Sequence, residues 1–194
     1  GGSLQKAYKW IMKNADGCDY VYICNDDIII EPDFIMNGIS DLEKDKHTLV
    51  TGTGYEMSTG KLGDGARYID FKTGNETYLP ENSSGNTGTT RSLFLTVDAF
   101  KRIGGFHPVL LPHYGSDSEF VMRACRKGYK ITSFDNLRYY YNDETTGVKK
   151  KSLRTMFSKR STYNPFYFFN LIMFTTPARY IPGRLLRMVK RITK

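Results

Sequence analysis

Two adjacent carboxylates interrupt an apolar run near the start of the chain. Residues 21–30 read VYICNDDIII, so that Asn25, Asp26 and Asp27 stand between four residues typical of a buried strand and three isoleucines. An ionised carboxylate that leaves water costs several kcal/mol unless it is paired or binds a cation. Either a strand ends here and the acids cap a turn, or the acids have a cationic partner.

The order of elements around this run favours an α/β fold. Apolar spacing predicts a helix over 3–14, a strand over 19–24, a helix led by Pro32 to about residue 46, and a strand from His47. Helices that alternate with strands in this way are typical of a partly parallel sheet covered by helices. The acids would then lie at the carboxyl end of the first strand, where α/β sheets bind ligands.

The middle of the chain has a different composition. Residues 52–90 are rich in Gly, Thr and Asn, which predicts hairpins and a long loop over 81–90. The remaining predicted elements are a strand over 91–97, a short helix capped by Asp98 and ended by Gly104 and Gly105, a helix from about Ser118 to Lys127, and strands near 129–134 and 137–141.

Charge is divided unevenly along the chain. The whole chain has 28 Lys and Arg against 20 Asp and Glu, yet residues 149–194 hold twelve of the basic residues and no acidic one. The first 148 residues therefore carry 16 basic and 20 acidic groups, a net charge of −4. This basic tail predicts a polyanionic partner. The three cysteines have no metal-like spacing, and Cys24 and Cys125 lie in apolar runs where buried thiols are expected, which favours a reducing, cytoplasmic setting.

A second group of polar residues follows the glycine pair. Asp117 and Glu119 open a predicted helix, where the helix dipole stabilises carboxylates. Ser116 and Glu119 match an S-x-x-E capping box, which is sufficient to explain Glu119. Asp117 is not needed for that box and is a plausible general base. His113 is a candidate orienter or ligand, and Arg123 could pair with an acid or simply be solvated.

Together these stretches resemble family 2 glycosyltransferases with the GT-A fold, over nearly the whole chain. YVYICNDDIIIEPDF resembles the strand of that family that ends in a D-x-D-type metal motif. FKRIGGF is similar to the glycine pair that precedes the acceptor site, and YGSDSEFVMRACRKGYKI to the acidic block that follows it. The LPHYGSD form is familiar from bacterial members that build surface polysaccharides.

The resemblance implies a truncated GT-A-like α/β fold, a mixed Rossmann-like sheet flanked by helices. It also implies an inverting transfer of sugar from a nucleotide-sugar to a glycan or lipid-linked acceptor. Asp117 would be the catalytic base, Asp26 would contact the nucleotide, and Asp27 would bind Mg²⁺ or Mn²⁺. Further substrate contacts are implied for Gly104, Gly105, His113, Glu119 and Arg123.

Two features depart from the family's pattern. The family often places a His after the last strand as a further metal or phosphate contact, whereas this chain has Tyr140-Tyr-Asn-Asp-Glu. Asn142 or Asp143 would have to take that place. The family's N-terminal nucleotide-binding segment is also absent before the first helix. The chain alone is therefore expected to bind the donor poorly, to turn over little, and to expose apolar surface through which it could self-associate.

The tail is predicted to be a separate extension, residues 149–194, after a catalytic domain over 1–148. Its aromatic stretch NPFYFFNLIMFTT is too short to span a bilayer. Residues 183–194 place Leu185, Leu186, Val189 and Ile192 on one helical face, as in an interfacial helix on anionic lipid. The alternative is an apolar segment that packs on the catalytic domain. Nucleic-acid binding is disfavoured because the aromatic and basic residues do not interleave.

The predicted location is therefore the cytoplasm, peripheral at the inner face of the cell membrane. Two other classes of function stay open. A non-catalytic carbohydrate- or nucleotide-binding module is favoured if the acids at 26–27 point away from Asp117. A basic membrane adaptor is favoured if residues 1–148 have no pocket.

Overall fold

A computed structural model describes residues 1–142, 157–158, 161 and 164–192, without the side chains of 191 and 192. Within these residues the helices are α1 (Gly2–Asn14), α2 (Phe34–Lys44), α3 (Val97–Ile103), α4 (Ser116–Arg126), α5 (Pro165–Thr175) and α6 (Ile181–Ile192), with a 3-10 turn at Ala178–Tyr180. The strands are β1 (Tyr20–Cys24), β2 (Ile28–Ile30), β3 (Thr48–Glu56), β4 (Leu62–Asp64), β5 (Arg67–Ile69), β6 (Glu76–Tyr78), β7 (Ser84–Gly85), β8 (Ser92–Thr96) and β9 (Lys130–Tyr141).

Seven of the strands form one mixed sheet. Its order is β1-β8-β3-β9-β2, with β4 beside β3 and β7 beside β9. The long strands β3 and β9 run parallel, and the other pairs are antiparallel. Strands β5 and β6 form a separate hairpin. The predicted partly parallel sheet with flanking helices is confirmed.

Helices cover both faces of this sheet because alternate strand residues point in opposite directions. Leu93 and Leu95 of β8 join the cluster that α1, α3 and α4 cover, whereas Phe94 between them joins the cluster beneath α2. Gly38 of α2 lies directly on the Phe94 ring, where a methyl group would come within 2.5 Å of it. The central strands are therefore fixed in register by burial on both sides.

Several predicted details are wrong. One continuous strand, β9, replaces the two predicted strands, and its pairing with β3 shifts register between Thr51 and Thr53. Helix α3 is capped by Thr96, whose hydroxyl accepts from the Ala99 amide at 3.0 Å, and not by Asp98. Cys24 is exposed because it is the last residue of β1, and Cys125 is only partly buried.

The described part of the tail packs on the rest of the chain. The Asn170 amide of α5 donates to the Leu110 carbonyl at 3.0 Å, and the Phe174 ring stacks on His107 with centroids 5.1 Å apart. Leu171 lies against Gly115, at the start of α4. In α6, Arg184 is buried against Gly74. Among the described helices, none has the length and apolar content that a membrane crossing requires.

Candidate active site

The acidic pair lies in the turn that joins β1 to β2. The Asn25 amide donates to the Arg91 carbonyl at 3.0 Å, so this turn lies beside the start of β8. Asp26 and Asp27 are exposed, and neither carboxylate accepts a hydrogen bond from the residues that the structure describes. The acids are therefore at the carboxyl end of the strand, as predicted, and they do not cap the turn.

The pairing of β2 with β9 brings a second oxygen ligand to the same place. Ile28 pairs with Tyr141 in the antiparallel register, and Asn142 is exposed directly after that strand. Continued by one residue, the register sets Asn142 opposite Asp27. The other candidate at this position, Asp143, lies outside the described residues.

Arg91 places a positive charge beside this turn. Its guanidinium lies over the Tyr141 ring, 4.2 Å from the centroid, and its Nε is 3.8 Å from the nearer Asp64 oxygen. Burial disfavours the charged form, but interactions with Asp64, two tyrosine hydroxyls and Asp27 outweigh it, so the pKa of Arg91 is raised. Arg91 thus links the exposed Asp27 to the buried Asp64.

Asp64 is the most completely bonded carboxylate of this region. It is 3% exposed at the end of β4. The Tyr139 hydroxyl and the Gly65 amide each donate to it at 2.8 Å, and the Thr89 hydroxyl lies 2.8 and 2.9 Å from its two oxygens. Burial, followed by the charge of Asp64, raises the pKa of the Tyr139 hydroxyl, which therefore stays a neutral donor.

Asp117 lies in the first turn of α4. Loss of water raises the pKa of its carboxyl group above the usual range. The Gly1 amino group, a hydrogen bond from the Thr90 hydroxyl and the nearby His113 oppose that rise, whereas the charge of Asp64 adds to it. A raised pKa brings a carboxylate closer to the range in which it can accept and release a proton.

Glu119 and Arg123 satisfy one another, so the predicted capping box is wrong. Gly115, in the left-handed conformation at φ 82°, is the N-cap residue, and the Ser116 hydroxyl has no partner among the described residues. Glu119 is 2% exposed, and its two oxygens accept from Arg123 Nε at 2.8 Å and Nη2 at 3.0 Å. Burial forces this pairing because an unpaired charge here would be costly.

The glycine pair is held by the same arginine. Arg123 donates to the carbonyl of Ile103 at 2.5 Å and to that of Gly105 at 2.7 Å. A side chain at Gly105 would collide with Gln5 and with the Tyr8 ring, because α1 packs directly on this loop. Gly104 ends α3 at φ 90°. Packing therefore accounts for both glycines, whether or not their backbone also meets a substrate.

His113 is exposed and stacks on its neighbour Tyr114, with ring centroids 4.6 Å apart. A charge interaction links His113 to Asp117. Charge interactions connect Arg91 with Asp27 and Asp64, and Asp64 with Asp117, while Arg123 ties Glu119 to the glycine loop.

Sequence reasoning missed Asp64, Thr90 and Arg91. Asp64 stands between two glycines in LGDGA, a hint of a special backbone position, but its side-chain partners are 25 to 75 residues away in sequence. Such contacts depend on tertiary packing, which local patterns do not reveal.

The donor set fits a cation that arrives with a phosphate ligand. Within the described residues, no group of three or more His, Cys, Asp or Glu side chains could hold a metal ion by itself. Asp27 and Asn142 offer two hard oxygens, and Mg²⁺ is commonly bound by one or two carboxylates together with phosphates and water. The carboxylate of Asp64 is already occupied by hydrogen bonds, so it is a poor ligand.

A cavity of about 380 Å³ lies at the opposite end of the sheet. Its lining includes Gly17, His47, Val97 and Tyr129, near the start of β1 and the end of β8. None of the predicted site residues borders it, so it contributes nothing to the acidic group described above.

Comparison with known proteins identifies the fold. No protein-family model matches the chain, and no curated protein matches it. Among solved structures, the chain is similar to GalNAc-T7 in its crystal structure with UDP, GalNAc and Mn²⁺, at 10% sequence identity and a TM-score of 0.54. The match covers 96% of this chain and 43% of that chain, so this chain spans less than half of its neighbour. The likeness shows a GT-A glycosyltransferase fold, which confirms the predicted fold class.

Proposed function

We propose that this protein is an inverting glycosyltransferase of the family 2 type. It moves a sugar from a nucleotide-sugar to a glycan or lipid-linked acceptor in the synthesis of a cell-surface polysaccharide. One observation carries the proposal: on a GT-A fold, two exposed carboxylates follow β1 without a hydrogen-bond donor among the described residues, and the strand register sets Asn142 opposite one of them. Exposed carboxylates without hydrogen-bond donors at the carboxyl end of a strand are available to a ligand.

In this proposal Asp27 and Asn142 hold Mg²⁺ or Mn²⁺, and Asp26 contacts the nucleotide. The bound cation would neutralise charge on the departing nucleoside diphosphate. The neighbour's structure with UDP and Mn²⁺ supports a metal and a nucleotide as partners. Arg91, beside the same turn, adds a positive charge that a diphosphate would meet.

Asp117 is the proposed catalytic base. It removes the proton from an acceptor hydroxyl, whose oxygen attacks the anomeric carbon as the bond to the diphosphate breaks on the opposite face. A single displacement of this kind inverts the anomeric configuration. Partial burial supports the assignment because it keeps the carboxylate poorly solvated, whereas Glu119 in the same turn is neutralised by Arg123.

The remaining predicted residues support the acceptor side. Arg123, paired with Glu119, donates to the backbone carbonyls of Ile103 and Gly105, and we assign both side chains a supporting role in substrate binding. His113, exposed near Asp117, is assigned to the acceptor.

The most direct test is release of nucleoside diphosphate from a panel of nucleotide-sugars, with and without Mn²⁺, in the presence of glycan acceptors. For any donor that the chain turns over, Asp27→Asn and Asp117→Asn should each lower kcat/KM by about 10²–10⁴-fold, the usual contribution of such a group. Asp33→Asn, an exposed carboxylate just before α2, is the matched control and should leave the rate unchanged. Metal-dependent nucleotide binding without turnover, unchanged by Asp117→Asn, would favour the non-catalytic binding module.

An anionic membrane surface at the inner face of the cell membrane is the second proposed partner. Phe166, Phe169 and Met173 are exposed along one side of α5, and Leu186 and Val189 are exposed on α6. Basic side chains such as Arg187 lie among the exposed residues of α6. Exposed aromatic residues with nearby basic ones are typical of helices that lie in the lipid interface.

Vesicle co-sedimentation tests this partner. Phe166→Ser with Phe169→Ser should weaken binding to anionic vesicles at any salt concentration, whereas Arg187→Glu should weaken it most at low salt. Met36→Ser, which removes a more exposed apolar side chain from α2, is the control. Equal binding of all variants, or binding to neither anionic nor neutral vesicles, would contradict the proposal.

A further inference from the structure

A row of side chains crosses three neighbouring strands beside the proposed metal site. Tyr140 of β9 pairs with Ile29 of β2 on one side and with Tyr55 of β3 on the other. Residues directly opposite each other in a sheet point to the same face, so these three side chains lie side by side. Ile29 is 55% exposed, Tyr140 is 39% exposed and Tyr55 is partly buried. We call the three side chains the Tyr140 row.

Strand alternation places the proposed metal ligands on the same face. Burial alternates along β9 from 137 to 141, and the exposed residues are Arg138, Tyr140 and, directly after the strand, Asn142. Side chains two residues apart on a strand lie on one face of the sheet, about 7 Å from each other. Asn142, which the register of β2 sets opposite Asp27, therefore continues the face of the Tyr140 row. A ligand on the row would lie next to whatever binds at the metal site.

A charged pair borders the Tyr140 row. Glu81 accepts a hydrogen bond from the Tyr55 hydroxyl at 3.3 Å, and Arg138 Nε lies 3.6 Å from the same Glu81 oxygen. The side chains of Glu81 and Arg138 are 29% and 47% exposed. The rings of Tyr55 and Tyr140 have centroids 6.3 Å apart and are tilted by 38°. The face thus combines ring surfaces with an acceptor and a donor group at its edge.

We propose that the Tyr140 row is a subsite for the glycan chain of the acceptor, with pyranose rings lying against Tyr140 and Tyr55. A pyranose has an apolar C–H face, which suits an aromatic ring, and a rim of hydroxyls, which suits a carboxylate and a guanidinium. Two strand spacings give the row a length of about 10 Å, longer than one hexose, which favours consecutive residues of a chain. The inference rests on the proposed function, since it takes the bound glycan to be the acceptor.

The bordering charges favour a glycan over a second copy of this chain. A dry protein interface across this face would take Arg138 and Glu81 out of water, which is costly even for a pair. Sugar hydroxyls both donate and accept hydrogen bonds, so they can replace the water around these two side chains. The same face can therefore bind a sugar without leaving a charge unsolvated.

Variants of Tyr140 separate ring stacking from other effects. Tyr140→Ala removes the ring from the centre of the row, whereas Tyr140→Phe keeps the ring and loses only the hydroxyl. Arg138→Gln removes the charged donor at the edge. Tyr68→Ala is the matched control, because Tyr68 is another exposed strand tyrosine, at 53%, on the separate hairpin of β5 and β6. Melting curves verify that each variant is folded.

The first readout is binding of neutral oligosaccharides to the chain without metal or nucleotide. A glycan array identifies the tightest ligand, and calorimetric titration then measures its Kd for each variant. Tyr140→Ala should raise this Kd by about 3- to 10-fold, the scale of one aromatic contact, and Arg138→Gln should also raise it. Tyr140→Phe and Tyr68→Ala should leave it unchanged. If no glycan of the array binds, or if Tyr140→Ala binds as tightly as the unmodified chain, the proposal fails.

Two further measurements detect other occupants of the row. If Tyr140→Ala weakens binding of nucleotide-sugars with Mn²⁺ but not of oligosaccharides, the row holds the donor and the proposal is wrong. Sedimentation velocity compares the oligomeric state of the same variants. Self-association that Tyr140→Ala abolishes, in a chain that binds no glycan, would make this face an interface between copies and would also overturn the proposal.

Oligosaccharide binding needs neither donor nor turnover, so its outcome is separate from that of the proposed function. If Tyr140→Ala weakens glycan binding while Asp27→Asn and Asp117→Asn leave sugar transfer unchanged, the subsite stands and the proposed catalytic residues are wrong. If those two variants abolish transfer but Tyr140→Ala changes neither glycan binding nor the KM for the acceptor, the proposed function stands and the subsite is wrong.

Discussion

The carboxylates near the proposed site fall into two kinds. Asp64 and Glu119 are almost fully buried, and every oxygen has a donor. Asp26 and Asp27 are exposed, and among the described residues they have no hydrogen-bond donor. The first kind holds the fold together, because a buried charge without its partner would be costly. The second kind makes no such contribution to stability and is available to a ligand.

Asp117 stands between these two kinds. It is partly buried, no arginine among the described residues pairs with it, and loss of water raises the pKa of its carboxyl group. Its negative charge is therefore less well stabilised than that of Glu119, two residues along the same helix. The first turn of α4 therefore carries both a carboxylate suited to proton transfer, Asp117, and a carboxylate that stabilises the fold, Glu119.

The largest expected loss of stability comes from breaking the buried ion pair of Glu119 and Arg123. Glu119→Ala removes the partner of Arg123 and should lower the free energy of unfolding by about 3 kcal/mol or more. Asp27→Ala should change it by less than about 0.5 kcal/mol, because nothing in the described fold depends on that side chain. Urea titrations of the two variants measure both. A comparable loss in Asp27→Ala would end the distinction between the two kinds.

The next largest loss of stability is expected at the glycine pair, Gly104 and Gly105. Gly105→Ala sets a methyl group against Gln5 and within 2.9 Å of the Tyr8 ring, and overpacking of this kind costs about 1–3 kcal/mol. Gly2→Ala is the control, since a methyl group there meets nothing within 4 Å. Urea titrations of the two variants measure the difference in the free energy of unfolding. A Gly105→Ala variant of normal stability but impaired acceptor binding would assign the loop to the substrate and not to packing.

The cap of α3 should give a smaller effect. Thr96→Ala loses the hydrogen bond to the Ala99 amide and should cost about 1 kcal/mol. Asp98→Ala loses only a favourable charge in the first turn and should cost about 0.3 kcal/mol. Thermal melts of the two variants compare them directly, and the reverse order of stabilities would restore Asp98 as the cap.

The smallest effect is a gain in stability at Asp117. Because loss of water raises the pKa of this carboxyl group, its ionisation opposes folding. The stability that it contributes is present below the unfolded-state pKa and is lost as the pH rises through the folded-state pKa. Asp117→Asn stays neutral, so it should be more stable than the unmodified protein at about pH 7, with no difference below about pH 4. Melting curves against pH measure this, and a less stable Asp117→Asn at neutral pH would contradict it.

Local patterns were sufficient for most elements and for the position of the acidic turn. Apolar spacing located α1 and β1 to within a residue or two because each places one face on the core. The predicted capping box between Ser116 and Glu119 does not form, because Arg123, one turn further along, binds Glu119 more strongly than a backbone amide would.

The rest of the site depends on distant contacts. Asp64 acquires its role from Thr89 and Tyr139, which only the folded sheet brings near it. Asn142 was already a candidate ligand by resemblance, but its place opposite Asp27 follows only from the pairing of β2 with β9. The packing of the whole core decides which distant strands pair, so strand pairing cannot be read directly from a single sequence.

The central claim is that Asp27 and Asn142 hold a divalent cation together with the donor's diphosphate. An anomalous difference map from crystals grown with Mn²⁺ and a nucleoside diphosphate tests it most directly. We predict a peak in contact with oxygens of Asp27 and Asn142 and with the diphosphate, and we expect Asp27→Asn crystals to lose it. Mn²⁺ bound elsewhere, or a diphosphate bound far from this turn, would contradict the account.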